Sequence, residues 1–311
     1  MRVTAVAAGI LEQRRILRQQ RKARVPTAAD HMTTSRAIDD YALGYTDAEQ
    51  ERLIRQAAII APYTERLFRE AGIGPGQRIL DLGSGMGDVA MLVAGLVGPS
   101  GVVVGIERNA SSIARAKARV AAAGLHNVLF LNTDVNEIPA EQHFNAAVGR
   151  FILTFLPDPV SVLRSVYRLV EPSGVLVFQE ASWIPMLALG DRLSLWSCVL
   201  RSIHETLVRS GANPEMGLAL YSIFREIGLP IPRMHLEIPL GSDGNFIAVI
   251  ADLLCSLRPL AKRHNVSLEE LGDLNTLRHR LYAEVAAANT VVSLIALVGV
   301  WARKSAQKQS E

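Results

Sequence analysis

Cysteine is nearly absent from this chain: its 311 residues hold two, Cys198 and Cys255. Two thiols so placed make neither a disulfide framework nor a zinc-ligand pattern, which points to a reducing compartment, the cytoplasm. No apolar run is long enough to cross a bilayer. The longest lies near Thr290–Ala302, short of the about 18 residues a span requires, and reads as a buried strand. No internal repeat or low-complexity tract stands out. A basic excess is also missing from most of the chain. Residues 1–24 carry seven arginines and lysines against one acid, Glu12, and the remainder holds 26 basic and 29 acidic groups. That balance argues against a nucleic-acid-binding surface on the body. The basic head fits either a targeting peptide or an extension without fixed structure over residues 1–40. What is abundant is apolar residue, 49%, enough for a full core.

The chain is organised around Ile79-Leu80-Asp81-Leu82-Gly83-Ser84-Gly85-Met86-Gly87. An apolar strand runs into an acid, then into three glycines at alternate positions, then into a helix. Glycine reaches backbone angles closed to other residues and puts no side chain in a ligand's way. Such a turn lets a ligand lie against main-chain N–H groups. Ahead of it, Thr46-Asp47-Ala48-Glu49 is a capping box. Leu53, Ile54, Ala57, Ile60, Leu67 and Phe68 then lay down a helical apolar face, with Pro62 as a kink or break. Beyond the glycines, apolar strands over Val102–Ile106, Val128–Leu131, Asn145–Val148 and Val175–Phe178 alternate with helical stripes.

This alternation predicts a doubly wound, mainly parallel seven-stranded sheet with a helical cap. Right-handed crossovers bring the strand C-termini to one edge, where ligands bind. Asp81, Glu107, Asp134, Gly149-Arg150 and Gln179-Glu180 all fall there. From Ala181 the pattern turns helical: Leu187–Ser210, a helix capped at Asn213-Pro214, and helices over about 243–262 and 267–288, the last opened by Ser267-Leu268-Glu269-Glu270. Met234–Leu240 and Thr290–Arg303 are the expected final strands. The domain plan is thus residues 1–40 as the extension, 41–180 as a ligand-binding core, and 181–311 as cap plus the last two strands.

Asp-x-Gly-x-Gly-x-Gly resembles motif I of the class I S-adenosylmethionine (SAM) dependent methyltransferases. The acidic strand end Val104-Gly105-Ile106-Glu107, Asp134, Phe144-Asn145-Ala146-Ala147 and Leu169-Val170-Glu171-Pro172-Ser173-Gly174 follow in that family's order. The likeness covers roughly residues 46–180 and is nearest to the branch that methylates quinone precursors and natural products. It implies SAM as cofactor. Asp81, Gly83, Ser84, Gly85 and Gly87 would hold its methionine part, Glu107 its ribose, and Asp134 and Val135 its adenine, with Arg108 a further candidate cofactor contact. Gly149 and Arg150 would border the sulfonium, and Tyr45 is a further candidate contact. The chain departs from the pattern at Phe144-Asn145, where Phe-Asp is common, and lacks the Asn-Pro-Pro-Tyr tetrad of amide and adenine methylation.

Methyl transfer from a sulfonium needs alignment, exclusion of water and, for a hydroxyl or acidic carbon, a base. Glu180, His204 and Arg150 are the candidate catalytic residues, with Trp183, Trp196, Phe151 and Phe155 as apolar walls. No pair of strand-end acids is set for a metal. The expected partner is a small, largely apolar molecule, with neither nucleic acid nor a membrane span; a homodimer is the expected assembly if there is one. Two rivals share part of the pattern. A nicotinamide-dependent oxidoreductase would also use the glycines and Glu107, although Asp88 stands where its third glycine belongs. A non-catalytic SAM-binding protein would keep the cofactor half alone.

Overall fold

The computed structural model describes residues 47–138 and 143–306. The basic head, Tyr41, Tyr45 and the cap residue Thr46 lie outside the described residues. Helix α1 (Asp47–Ala71) opens the described residues. Then β1 (Arg78–Leu82), α2 (Asp88–Val97), β2 (Val102–Glu107), α3 (Ala110–Ala122), β3 (Val128–Asn132), β4 (Phe144–Arg150), α4 (Pro159–Leu169) and β5 (Val170–Ser182) alternate along the chain. Local sequence explains the helix starts. Asn109 accepts from the Ser112 N–H, and Asp158 from that of Ser161 just ahead of a first-turn proline.

After β5 the chain forms α5 (Ile184–Leu189), α6 (Ser194–Arg209) and α7 (Met216–Glu226). Strands β6 (Arg233–Glu237) and β7 (Leu240–Gly241), helices α8 (Gly244–Arg263) and α9 (Leu277–Ala287), and strands β8 (Val292–Ser293) and β9 (Ala296–Arg303) complete it.

One sheet of seven strands has the order β3-β2-β1-β4-β5-β9-β6, and β7 with β8 forms a separate ribbon. The first five strands are parallel, and β9 runs antiparallel between β5 and β6. The expected sheet is present. The register decides what shares a face, because side chains alternate along a strand. On one face Ile79, Val148 and Val177 pack under Leu67 and Phe68 of α1 and Val89 and Val93 of α2. On the other, Leu80, Ala147 and Phe178 meet Leu163 of α4 and Phe224 of α7.

Several element boundaries differ from the sequence expectation. Helix α1 runs unbroken through Pro62. The single helix expected over Leu187–Ser210 is two, interrupted by a 3-10 turn at Gly190–Arg192 and by extended backbone at Leu193. Gly190 lies against the following helix: a Cβ there would come within 2.9 Å of Leu200 Cδ1 and 3.1 Å of Trp196 Cδ1. The helix expected from residue 267 starts at Leu277, after two 3-10 turns and Gly272 at φ +62°. The Thr290–Arg303 strand is split, its first part pairing with β7. Helix α8 is the one helix among the described residues long and apolar enough to cross a membrane, and most of it is buried against α1, α6 and α9.

Helix α1 positions the site. Thr64 lies over the ends of β4 and β5, whereas Ala71 lies at the opposite edge, where its carbonyl accepts from Arg303. The N-terminal half of α1 therefore projects past the strand C-termini. There Arg55 bonds Asp252 of α8 at 2.6 Å, and Glu51 bonds Arg115 of α3. These contacts carry α1 and the cap helix beyond the edge.

Candidate active site

The glycine turn leaves β1 and enters α2 through three left-handed residues, Gly83, Gly85 and Gly87, at φ +62°, +51° and +82°. Their surroundings differ. A Cβ on Gly83 would strike Ile152 Cδ1 at 2.5 Å. A Cβ on Gly85 would meet nothing nearer than a carbonyl oxygen at 4.0 Å, so the space above Gly85 is open. Arg119 of α3 fixes the turn from behind: it donates to the Met86 carbonyl and to Asp88, both at 2.7 Å.

Glu107 ends β2 beside this opening. Its carboxylate accepts from the N–H groups of Gly85 at 3.0 Å and Asn109 at 2.8 Å. Arg108 next to it is exposed, and its carbonyl, like that of Glu107, accepts from Asn132. Past β3, Asp134 accepts from Asn136 and Val135 is buried. The Ser84 side chain turns down onto β2, where Gly105 leaves room for its hydroxyl, and its N–H donates to Ile106.

A polar line crosses the otherwise apolar face under α1. Asp81 is 1% exposed, with one carboxylate oxygen unpartnered. Burial pushes its pKa up to about 8, with nearby Asp88 and Glu107 adding to the rise and Arg150 opposing it. Arg150 is half-buried at the end of β4, and burial pushes its guanidinium down from its ordinary value. It donates to Thr64 Oγ1 at 3.1 Å, and the Thr64 hydroxyl donates to Gln179 Oε1 at 2.6 Å. Gln179 is fully buried and its amide nitrogen has no partner. Arg150 pairs with Gln179 across β4 and β5, and Asp81 with Val148 across β1 and β4, which puts all three on one face.

Glu180, the next residue, points through the opposite face. It accepts from the N–H groups of Ile152, Leu153 and Thr154 and from the Thr154 hydroxyl, at 2.9 to 3.3 Å. Burial raises its pKa to about 7 against these bonds, which favour the ionised form. The structure thus does not gather Glu180 and Arg150 into one cavity, because strand alternation sends them to opposite sides.

His204, on α6, stands 6.4 Å from the buried Trp183 ring. Burial lowers its pKa, with Glu215 pulling the other way. Glu215 accepts from Ser182 Oγ at 2.6 Å and from the N–H groups of Trp183 and Ile184 at 2.8 and 3.1 Å, which fixes the start of α5. Thr64, Arg119 and Glu215 escaped sequence reasoning. Each acts across 30 or more residues, and its own neighbourhood in the chain carries no signal. Among the described residues no group of three or more His, Cys, Asp and Glu side chains is placed to hold a metal ion.

The site fits SAM. Glu107 borders the opening above Gly85 through its bond with the Gly85 N–H, and the buried Asp81, two residues before Gly83, has one oxygen without a donor. It fits a dinucleotide poorly. The Asp88 carboxylate occupies the first turn of α2, where a pyrophosphate would need neutral, close packing, and β9 enters the sheet antiparallel.

Comparison with known proteins agrees. Residues 73–215 match a family model described as a methyltransferase domain. The demethylmenaquinone methyltransferase of Bacillus cytotoxicus is 31% identical over 126 residues, 40% of this chain and 53% of that protein. The arsenite methyltransferase of Halobacterium salinarum is 32% identical over 111 residues, 35% of this chain and 28% of that protein. The chain thus spans about a quarter to about half the length of these curated relatives. A solved Bacillus halodurans protein assigned as a methyltransferase shares the fold, with a TM-score of 0.50 at 19% identity over 77% of this chain and 97% of that one. Motif, strand order, site geometry and family model converge on one reading: residues 73–215 form a methyltransferase domain.

Proposed function

We propose that this chain transfers the methyl group of SAM to a small, largely apolar molecule by direct displacement, without a metal. The observation that carries the reading is the opening above Gly85, beside the Glu107 carboxylate, in the glycine turn that follows Asp81. SAM supplies a methyl already attached to a good leaving group. The protein's share is to bind, align and keep water out. Asp81 and the backbone of Gly83 to Gly87 receive the methionine part. Glu107, with Arg108 beside it, receives the ribose, and Asp134 and Val135 border the adenine. Gly149 lies at the end of β4 next to the turn, and Tyr45 is a further proposed contact.

The acceptor side lies between the end of β5 and the cap, where Trp183 and Trp196 are buried. An imidazole whose pKa is lowered stays neutral at pH 7, so His204 is suited to take a proton from an acceptor hydroxyl or acidic carbon. Glu180 is a positioning residue: by holding residues 152–154 it fixes the loop that follows β4.

The test is to incubate the full chain with methyl-labelled SAM and a mixture of small apolar metabolites, with protein and RNA as competing acceptors. Label in the organic-soluble fraction is the expected result. Label confined to protein or RNA overturns the reading.

A further inference from the structure

Strand β6 ends the seven-stranded sheet beyond β9, and among the described residues no element pairs with its outer side. An edge strand presents a row of unpaired N–H and C=O groups, which proteins commonly defend with a lysine, a bulge or a covering element. Strand β6 reads Arg233-Met234-His235-Leu236-Glu237, without a lysine, and its ladder with β9 runs without a bulge. Met234 and Leu236 are 37% and 46% exposed. The apolar surface continues beyond the strand. Leu236 pairs with Val298, and a Cβ on Gly217 of α7 would strike the same Val298 at 2.6 Å. Tyr221 stands one turn from Gly217 on the same side of α7, with Leu218 beside it, and both are exposed, as is Ile231 just ahead of the strand.

The strand is complementary to itself. Turned about a two-fold axis through His235, a second copy of β6 runs antiparallel to the first. Met234 then faces Leu236, and Arg233 faces Glu237, each twice. Alternation puts the two apolar pairs on the α7 side of the sheet and the two ionic pairs on the α1 side. The charges on that side call for the match. Arg233 is exposed and has no partner among the described residues. Glu237 is held in place by Arg66 of α1, and Glu70 lies near His235, whose imidazole is kept neutral as burial lowers its pKa. Two acids against one arginine leave a negative charge, which the Arg233 of a second copy would balance. The other edge strand, β3, has no charged residue, and Leu129 is its one exposed large apolar side chain.

We propose that the chain forms a two-fold dimer through β6, which joins two sheets into one continuous sheet with the register Arg233 to Glu237 and Met234 to Leu236. Pro232 before the strand and Pro239 after it carry no N–H to extend the ladder, so the pairing has a fixed length. The contact uses the same patch on both copies and closes on itself, which stops assembly at two. The glycine turn after β1 lies four strands from β6, so each copy keeps its own site and the dimer does not depend on the SAM reading.

The test is sedimentation velocity of the full chain from about 1 to 100 μM, where mass action governs association, with backbone amide exchange read on the same samples. Wild type is expected to reach twice the mass of one chain, with slowed exchange over residues 233–237. The double variant Met234→Lys/Leu236→Lys sets like charges opposite one another and should be monomeric, with unchanged circular dichroism and fast exchange over 233–237. Arg233→Glu removes no contact of the single chain and should weaken association about tenfold or more. A wild type that stays monomeric across the range overturns the proposal. So does a dimer that both variants leave intact, or one in which residues 233–237 exchange freely. If the lysine variant fails to fold, Arg233→Glu decides alone: undiminished association in it overturns the proposal.

Discussion

Gly85 combines a backbone angle of φ +51° with an open approach. Valine there meets strain from its β-branch and fills the space the cofactor needs. Gly85→Val is therefore expected to abolish SAM binding while the chain stays folded, as read by calorimetry beside circular dichroism. Glu107→Ala is expected to weaken SAM by about 1.5–3 kcal/mol, the range for hydrogen bonds to a charged group. Asp81 makes a prediction about pH. Its folded pKa of about 8 lies above its ordinary 3.8, so the folded state holds the extra proton between those values. The associated stability is full below the lower value and lost as pH rises to the upper. Asp81→Asn lacks this loss. In the ligand-free protein its melting temperature should gain on wild type steadily from pH 5 to pH 8.5, and a constant difference would show that Asp81 titrates normally. Asp81 and the glycines were legible because motif and mechanism lie within one turn. Thr64 was not: a threonine in mid-helix looks like any other until the fold brings it to Gln179, 115 residues away.

Strand β5 shows how one element serves two faces. Gln179 turns toward α1, and Glu180 toward the loop after β4. From the sequence both read as strand-end polar residues, and Glu180 as a base. Period-two alternation separates them once the register with β4 is known. Replacing the Glu180 carboxylate leaves buried N–H groups of residues 152–154 short of acceptors. Glu180→Gln should cost about 1–3 kcal/mol in a urea melt with unchanged m-value. Unchanged stability with lost turnover would return Glu180 to a role as base. Strands β1, β2 and β4 were readable as apolar runs ending in polar or glycine positions. The breaks at Gly190 and Gly272 were less so, since the helical stripe continues through them and tertiary contact, not local pattern, sets the interruption at Gly190.

On the scale of the whole molecule, the cofactor half and the cap are joined through α1. Its lower half packs on the sheet, and its upper half reaches Asp252 of α8 and Arg115 of α3. The cap's existence followed from the helical, apolar stretch after Ala181, while its attachment through α1 required the fold. The proposal of an acceptor bound under the cap predicts that Trp183→Ala and His204→Ala lower acceptor turnover at least about tenfold and leave SAM affinity nearly intact. Full activity in both would make the cap a structural cover only. The basic head has no apolar periodicity and opposes the body in charge, so a chain starting at Met32 is expected to bind SAM like the full chain; loss of binding would assign the head a place in the site. The central claim is that the opening above Gly85 is a SAM site, and one calorimetric comparison tests it most directly. SAM and NAD are titrated into wild type and into Gly85→Val. Saturable one-to-one binding of SAM to wild type, none to Gly85→Val and none of NAD to either is the predicted result. NAD binding to wild type without SAM binding, or SAM binding undiminished by Gly85→Val, would contradict it.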